Sequence, residues 1–357
     1  MKKSLVTVSA ISLAISTGLA LAADLPSMKG PPPVYIPPPP IWTGFYAGLN
    51  AGGGWGTTTN AATLSGPLFD GVALAANAVD PLRASGALIN GGTALANTGI
   101  ANLNQSGFIG GGQIGYNYQW GSRFLVSLEA DIQGATIRGS GSYLGASQDG
   151  MKWVDPVAGL PCFNGALNMC TVTRTAIGAG QVTGGIDWLG TVRARVGYLI
   201  TPTLLTYATG GLAYGGVNGS ATHSAVIQGV VTGLQGPLAA FNGPLGLPTV
   251  PGAGQFSNTQ VGWTVGGGFE WMFMPNWSLK AEALYYDLGN VVFASSPVVA
   301  VSPITVPAIV LGTAINAGQP LIANNPVTRL KYDGVIARAG VNYHFNWGAP
   351  APVLAKY

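Results

Sequence analysis

From Thr43 onward the chain alternates two kinds of segment. In one, apolar and polar residues change places at every second position; in the other no period is visible. Eight stretches carry the alternation: Thr43 to Gly56, Gly107 to Trp120, Arg123 to Arg138, Ile186 to Ile200, Thr203 to Gly216, Thr259 to Phe273, Asn276 to Gly289 and Lys331 to Trp347. A period of two is that of a β-strand with unlike faces. The third stretch is the clearest, with Phe124, Val126, Leu128, Ala130 and Ile132 interleaved with Ser127, Glu129, Asp131 and Gln133. The fourth sets Trp188, Val192, Ala194, Val196 and Tyr198 against Thr191, Arg193, Arg195 and Gly197. The last sets Val335, Ala337, Ala339, Val341, Tyr343 and Phe345 against Arg338, Gly340, Asn342 and His344.

Alternation alone fits a soluble sandwich as well as a sheet in lipid, and the connections decide between them. Gly121-Ser122, Thr201-Pro202 and Met274-Pro275 are tight turns, whereas long connections fall at 57–106, 139–185, 217–258 and 290–330. Short turns at one end, long loops at the other and an even strand count predict an all-β fold, a closed eight-stranded antiparallel transmembrane β-barrel with short periplasmic turns and four long external loops. Compact soluble domains rarely carry four such loops.

Aromatic residues gather where the strands end. Trp42, Phe45, Trp120, Tyr198, Tyr207, Trp271, Trp277, Tyr343, Phe345 and Trp347 lie toward the short turns and termini; Trp55, Phe108, Trp188, Tyr214, Trp263, Tyr285, Tyr286 and Tyr332 lie toward the long connections. Two aromatic belts are expected where a barrel meets two headgroup layers, because Tyr and Trp join an apolar ring to a polar handle.

Composition agrees. Only 8% of the 357 residues are charged and 48% are apolar, with a mean hydropathy of +0.36, which excludes an ordinary soluble domain and a disordered chain alike. The 55 glycines argue against a helical membrane protein and show no collagen period. Lys2 and Lys3, the apolar run Ser4 to Ala20 and the small residues of Ala20-Leu21-Ala22 read as a signal peptide over 1–22; a short membrane anchor is the other reading. Residues 23–42 hold Pro31-Pro32-Pro33 and Pro37 to Pro40 and are expected to form an extended periplasmic leader, with a polyproline ligand for a partner's aromatic groove as the alternative. The barrel is then expected over 43–347 and a periplasmic tail over 348–357. The mature chain is close to neutral, which gives no support to a nucleic-acid partner.

The strand phase assigns Glu129, Asp131, Glu270 and Glu282 against Arg193, Arg195, Lys280 and Arg338 to the inward face. Four acids and four bases cancel. An eight-stranded interior is just wide enough for side chains to fill, and buried charges must be paired, so a salt-bridged plug is expected, with Glu129 and Asp131 meeting Arg193 and Arg195 on the neighbouring strand. A charged constriction that selects ions is the counter-reading. Inward glycines such as Gly48, Gly111, Gly266 and Gly268 fit a narrow interior.

Catalytic and metal chemistry find little to stand on. His223 and His344 are the only histidines, too far apart in the chain for a zinc or haem site, and no Ser/His/Asp constellation assembles at one rim. The chain is therefore expected to be no enzyme and to hold no cofactor. Cys162 and Cys170 share one long connection in a compartment that permits oxidation, and a local disulfide is expected. Residues 291–328 carry no charge, contain five prolines that exclude a membrane helix, and include Val298 to Val301 and Ile304 to Val306 as candidate strand extensions or self-associating hairpins.

Several motifs together carry a family resemblance. Ala23-Asp24-Leu25-Pro26, Thr43-Gly44-Phe45-Tyr46-Ala47-Gly48, Tyr207-Ala208-Thr209-Gly210-Gly211-Leu212-Ala213-Tyr214, Lys280-Ala281-Glu282 with Tyr285-Tyr286-Asp287-Leu288-Gly289, and Arg338-Ala339-Gly340-Val341-Asn342-Tyr343 resemble the alphaproteobacterial outer-membrane immunogenic proteins, grouped with the porin-family or OmpA-like barrels. The likeness covers Ile41 to Trp347 in the strands only. It implies an eight-stranded barrel of the bacterial outer membrane with both termini periplasmic, exposed loops, and a structural and surface-interaction role with weak pore activity. The expected partners are outer-membrane lipid, the barrel-assembly machinery during insertion, and surface ligands or further copies meeting the loops. A small-solute porin is the second reading; loop-mediated haem or host-ligand binding, or adhesion, is the third. Family members commonly end with an aromatic residue that closes the last strand, whereas here Gly348 to Tyr357 extend past Trp347.

Overall fold

A period of two implies a sheet, and a computed structural model builds one. It describes residues 41–58, 60–70, 92–153, 170–233, 243–301 and 316–345. The signal segment, all but the end of the leader, Cys162, Ile304 to Val306, Trp347 and the tail lie outside these residues, and so does the side chain of Cys170. Among the described residues thirteen strands join one antiparallel sheet, and no helix is long and apolar enough to cross a membrane.

Eight long strands form the main path. β1 (Gly44–Gly56) pairs with β4 (Ser106–Trp120), and then follow β5 (Phe124–Trp153), β6 (Cys170–Thr201), β7 (Leu204–Thr232), β10 (Gly252–Met274), β11 (Trp277–Ala294) and β13 (Pro320–Phe345). β13 pairs back with β1, from Phe45 opposite Phe345 to Gly56 opposite Gly334. Each long strand therefore has a neighbour on both sides over its turn-proximal half. The tight turns fall where expected, after Trp120, Thr201 and Met274. Gly121 takes a positive φ of 65°, as tight turns demand. Asn276 does so without being glycine and is held by hydrogen bonds in both directions with the His344 backbone, each 2.7 Å.

The strands do not stop where the alternation fades. β5 and β6 stay paired from Arg138 opposite Gly185 to Trp153 opposite Cys170, so the connection expected at 139–185 is mostly a two-stranded extension. β7 and β10 likewise pair out to His223 opposite Gly252, inside the connection expected at 217–258. Of the segment at 57–106, β2 (Asn60–Asp70) and β3 (Gly99–Asn102) are strands and residues 92–96 a helical turn. In 290–330 the expected strand at Val298–Val301 is present as β12, between β13 and β9 (Thr249–Val250), while β8 (Gly243–Leu247) edges β7. The physical reason is that Ser, Gly, Thr and Ala at 139–148 and 176–185 give little contrast between faces, while backbone pairing needs no such contrast.

Two β-bulges explain shifts of phase. Asp187 is inserted between Ile186 and Trp188, so β6 turns even positions inward up to Ile186 and odd positions inward from Leu189 on. In β11 the insertion lies between Asp287 and Asn290, with Gly289 at φ +82°. A bulge reverses which side chains face inward for the rest of the strand.

The faces have inverted polarity. Leu49 is 74% exposed, while Arg193, Arg195 and Glu270 are fully enclosed. Around the outer face, Phe45 and Trp55, Phe108 and Tyr118, Trp188 and Tyr198, and Trp263 and Phe273 stand ten residues apart on four strands. Ten strand residues rise about 33 Å, which at a tilt of about 40° covers about 25 Å. Trp120, Tyr198, Trp271, Trp277 and Tyr343 are exposed at the turn end, as expected, with Phe345 half-buried. Trp42, Tyr207, Tyr286 and Tyr332 are not belt residues: all four are buried. Tyr207 and Tyr286 share the inward phase of Thr209 and of Glu282, so proximity to a strand end misplaced them where strand phase places them correctly.

Candidate functional site

The enclosed face is layered along the strands. At the turn end Trp42, Leu125, Leu199, Leu205, Tyr207 and Met272 form an apolar cluster, with the Trp42 indole N–H donating to Pro202 O at 2.9 Å. Above it lies an ionic layer. Beyond that, Ile109, Ile137, Ile186, Leu189, Leu284, Tyr286, Tyr332 and Ile336 belong to a larger apolar cluster, all at 2% exposure or less.

Every charged residue expected on the inward face is in the ionic layer. Register accounts for the local meetings: Glu129 stands opposite Arg193, Glu270 opposite Lys280 and Glu282 opposite Arg338. Glycine flanks five of the eight, since Gly115, Gly211, Gly340, Gly268 and Gly52 are cross-strand partners of Glu129, Arg193, Lys280, Glu282 and Arg338. A Cβ at Gly268 would stand 2.8 Å from both the Glu282 Cβ and the Tyr207 hydroxyl, so the small residue makes room for the long one.

Arg193 pairs with Glu129, with Asp131 at 3.0 Å and with Glu282 at 3.2 Å. Arg195 reaches Glu129 at 3.0 Å and Glu270 at 2.7 Å, and its guanidinium lies over the Tyr207 ring at 3.9 Å. Lys280 contacts Glu129 at 2.8 Å and Glu282 at 3.3 Å; Arg338 contacts Asp131 at 2.7 Å and also Glu282. The expected pairing of Glu129 and Asp131 with Arg193 and Arg195 is present, and the Lys280 and Arg338 contacts add ties between strands that are not neighbours. Charge-assisted bonds of this kind are the strong ones, and leaving one partner alone costs several kcal/mol.

Neutral members complete the layer; Thr191, Asn342 and His344 had been set on the polar face in the sequence, whereas Tyr46, Tyr207, Ser278 and Gln113 were missed. The Tyr46 hydroxyl donates to Glu129 at 2.5 Å, Tyr207 to Glu282 at 2.9 Å, Thr191 to Asp131 at 2.8 Å and Ser278 to Glu270 at 2.6 Å. Asn342 donates to Glu270 at 2.7 Å and Gln113 to Asn342 at 2.5 Å, while His344 lies 2.8 Å from the Ser278 hydroxyl. Thr191, Ser278, Asn342 and His344 share the inward phase of a charged residue on their own strand, which was the available signal; the strands of Tyr46, Gln113 and Tyr207 carry no Asp, Glu, Lys or Arg and offered none. The apolar layer beyond was also missed: its members come from eight strands, and only the pairing register of those strands brings them level.

Farther out, His223 is enclosed in the extension, with Nδ1 3.1 Å from the Tyr143 hydroxyl, which donates to Asn97 O at 2.7 Å. Burial pushes the His223 imidazole down to about 4 and raises the Tyr143 phenol. On the outer face the Arg138 guanidinium pairs with Asp187. Among the described residues no group of three or more His, Cys, Asp and Glu could hold a metal ion.

No family model matches the chain. The 31 kDa outer-membrane immunogenic protein of Brucella melitensis biotype 1 is 29% identical over 272 residues, covering 76% of this chain and 82% of that protein. The protein of the same name from Brucella suis biovar 1 gives the same figures. Among solved structures, the outer membrane protein OprG from Pseudomonas aeruginosa is similar at 10% identity and a TM-score of 0.30, covering 85% of this chain and 97% of that one. The resemblance carried by the strand motifs stands: the chain has a homologue named as an outer-membrane immunogenic protein.

Proposed function

We propose that the protein is a closed eight-stranded barrel of the outer membrane whose interior is plugged, and that it serves as a structural element presenting its strand extensions at the cell surface. The observation that carries this reading is the charge-balanced ionic layer held between two apolar clusters, since a pathway for small solutes would have to cross both. The closed eight-strand count rests on the return of β13 to β1. The aromatic spacing matches the height of the apolar band of such barrels. In this reading the turns and both termini are periplasmic, the wall partner is outer-membrane lipid, insertion passes through the barrel-assembly machinery, and the barrel is not an enzyme. The extensions are the part free to meet surface ligands or other copies. The second reading, a small-solute porin, requires both apolar clusters to open.

Cysteine labelling tests the placement. Leu144→Cys, at a position 81% exposed in the β5 extension, is expected to react with a membrane-impermeant maleimide on intact cells, and Ser122→Cys in the first tight turn only after the envelope is opened. The reverse pattern overturns the orientation. A mature protein with the same gel mobility boiled and unboiled overturns the closed barrel.

A further inference from the structure

Just beyond the aromatic residues that end the outer apolar band, the wall of β5, β6 and β7 holds a groove with a volume of about 460 Å³, lined by Asn104, Arg138, Ser140, Thr183 and Asn218 along with glycine backbone. Its polar groups are held by one another. Arg138 Nη1 donates to Ile137 O at 2.9 Å and to Ile186 O at 2.6 Å, and its Nη2 pairs with Asp187 Oδ1. Asp187 Oδ2 accepts from Asn218 Nδ2 at 2.6 Å, and the Thr183 and Ser220 hydroxyls meet at 2.8 Å. Asn218 is anchored from the other side of the sheet, where the Tyr332 hydroxyl donates to its carbonyl at 2.7 Å. The bulge at Asp187 aims that carboxylate outward between the two partners, so this constellation depends on the single inserted residue.

Three planar side chains lie flat on the sheet here because glycines sit beneath them. A Cβ at Gly185 would fall 2.5 Å from Arg138 Cδ, one at Gly216 would overlap the Trp188 indole at Nε1 and stand 2.8 Å from its Cδ1, and one at Gly190 would fall 2.6 Å from the Tyr214 ring. Trp188 and Tyr214 pack edge to face at 5.9 Å. The guanidinium and amide that line the groove are thus bridged by the Asp187 carboxylate, and the two aromatic rings lie outside the lining on the next stretch of β6 and β7.

We infer that this groove binds a saccharide, and specifically the sugar headgroup of a glycolipid in the outer leaflet. The chemistry separates sugar from phosphate. Arg138 and Asp187 cancel in charge, which disfavours a simple anion site. After their mutual bonds Arg138 keeps two N–H donors, and the Asp187 and Asn218 oxygens keep acceptor lone pairs. Adjacent donors and acceptors match neighbouring hydroxyls, each of which both donates and accepts. The position separates a lipid-borne sugar from a free one. Directly below the groove Ile132, Val192 and Leu212 form an exposed apolar strip that acyl chains can follow. Pre-organisation by mutual hydrogen bonds lowers the ordering cost of binding.

The inference rests on the membrane placement proposed above. The test uses the full mature protein in lipid nanodiscs, with its closed barrel checked by heat-dependent gel mobility, so that a failed barrel is distinguished from a failed site. Bound rough lipopolysaccharide is read by native mass spectrometry, against its deacylated oligosaccharide and against phosphatidylglycerol. Asp187→Ala and Asn218→Ala are each expected to weaken retention of the lipopolysaccharide about tenfold, while Gln228→Ala, on the exposed face of β7 away from the groove, leaves it unchanged. Deacylated oligosaccharide binding as tightly as the intact molecule overturns the glycolipid assignment. Equal competition by phosphatidylglycerol, or wild-type retention by both variants, overturns the saccharide site.

Discussion

Replacing Arg193 with methionine tests the ionic layer at the base that meets the most carboxylates. The side chain is fully enclosed and meets Glu129, Asp131 and Glu282. Without it, four enclosed carboxylates face Arg195, Lys280 and Arg338, and the layer carries an uncompensated negative charge. Breaking a buried pair by removing one partner costs about 3–5 kcal/mol, because the other charge stays desolvated. Methionine fills part of the volume, so the lower end, about 3 kcal/mol, is expected for Arg193→Met. Pairing it with Glu282→Gln restores neutrality, and the double variant is expected to recover about 1–2 kcal/mol relative to the sum of the single losses. The assay is urea unfolding of the refolded protein in lipid vesicles, followed by tryptophan fluorescence and by the heat-sensitive gel band. A single variant within about 1 kcal/mol of wild type, or strictly additive losses in the double, would refute the view that the layer is a desolvated, mutually dependent network.

Three further outcomes follow from particular contacts. Trp42→Ala removes the largest apolar group at the turn end and its bond to Pro202 O, with an expected loss of about 3–5 kcal/mol in the same titration; an unchanged midpoint would mean Trp42 does not close that end. Gly268→Val forces a branched side chain against Glu282 and Tyr207, and a loss of about 1–3 kcal/mol with a lower refolding yield is expected, whereas normal yield and stability would contradict the narrow interior. His223, held down to about 4 in the folded protein against about 6.5 when unfolded, binds fewer protons folded than unfolded across that interval. Its contribution is therefore present above pH 6.5 and lost as pH falls toward 4, and amides near Tyr143 and His223 are expected to exchange faster at pH 5 than at pH 7 after correction for intrinsic rates. The same acceleration in His223→Gln would assign it to another group.

Much of this arrangement was legible because one physical rule acts along the whole chain. An exposed apolar face on one side and a narrow enclosed space on the other force each strand residue to choose a face, so alternation placed Glu129, Asp131, Arg193, Arg195, Glu270, Lys280, Glu282 and Arg338 together before any contact was known. Tight turns at Gly121, Pro202 and Pro275 fixed which strands are neighbours. Tyr207 and Tyr286 were placed among the belts by nearness to strand ends, although their phase pointed inward. The extension of β5 and β6 past Arg138 was illegible for another reason: residues such as Gly139, Ser140, Gly141 and Ser142 carry no contrast between faces, and backbone pairing leaves no mark on side-chain pattern. The apolar layer around Leu189 and Leu284 depends on register between strands distant in sequence, which no single segment encodes. Asp187 is a bulge whose effect, turning a carboxylate outward beside Arg138, appears only once two strands are set side by side.

The most direct measurement of the plugged interior is the current through the mature protein refolded into a planar lipid bilayer, with refolding confirmed by its heat-dependent gel mobility. With Trp42, the ionic layer and the Leu189–Leu284 layer stacked along the enclosed face, a flat baseline is expected across the voltage range, unchanged by salt. Steady, reproducible openings from the correctly refolded protein would contradict the account and put the small-solute porin in its place.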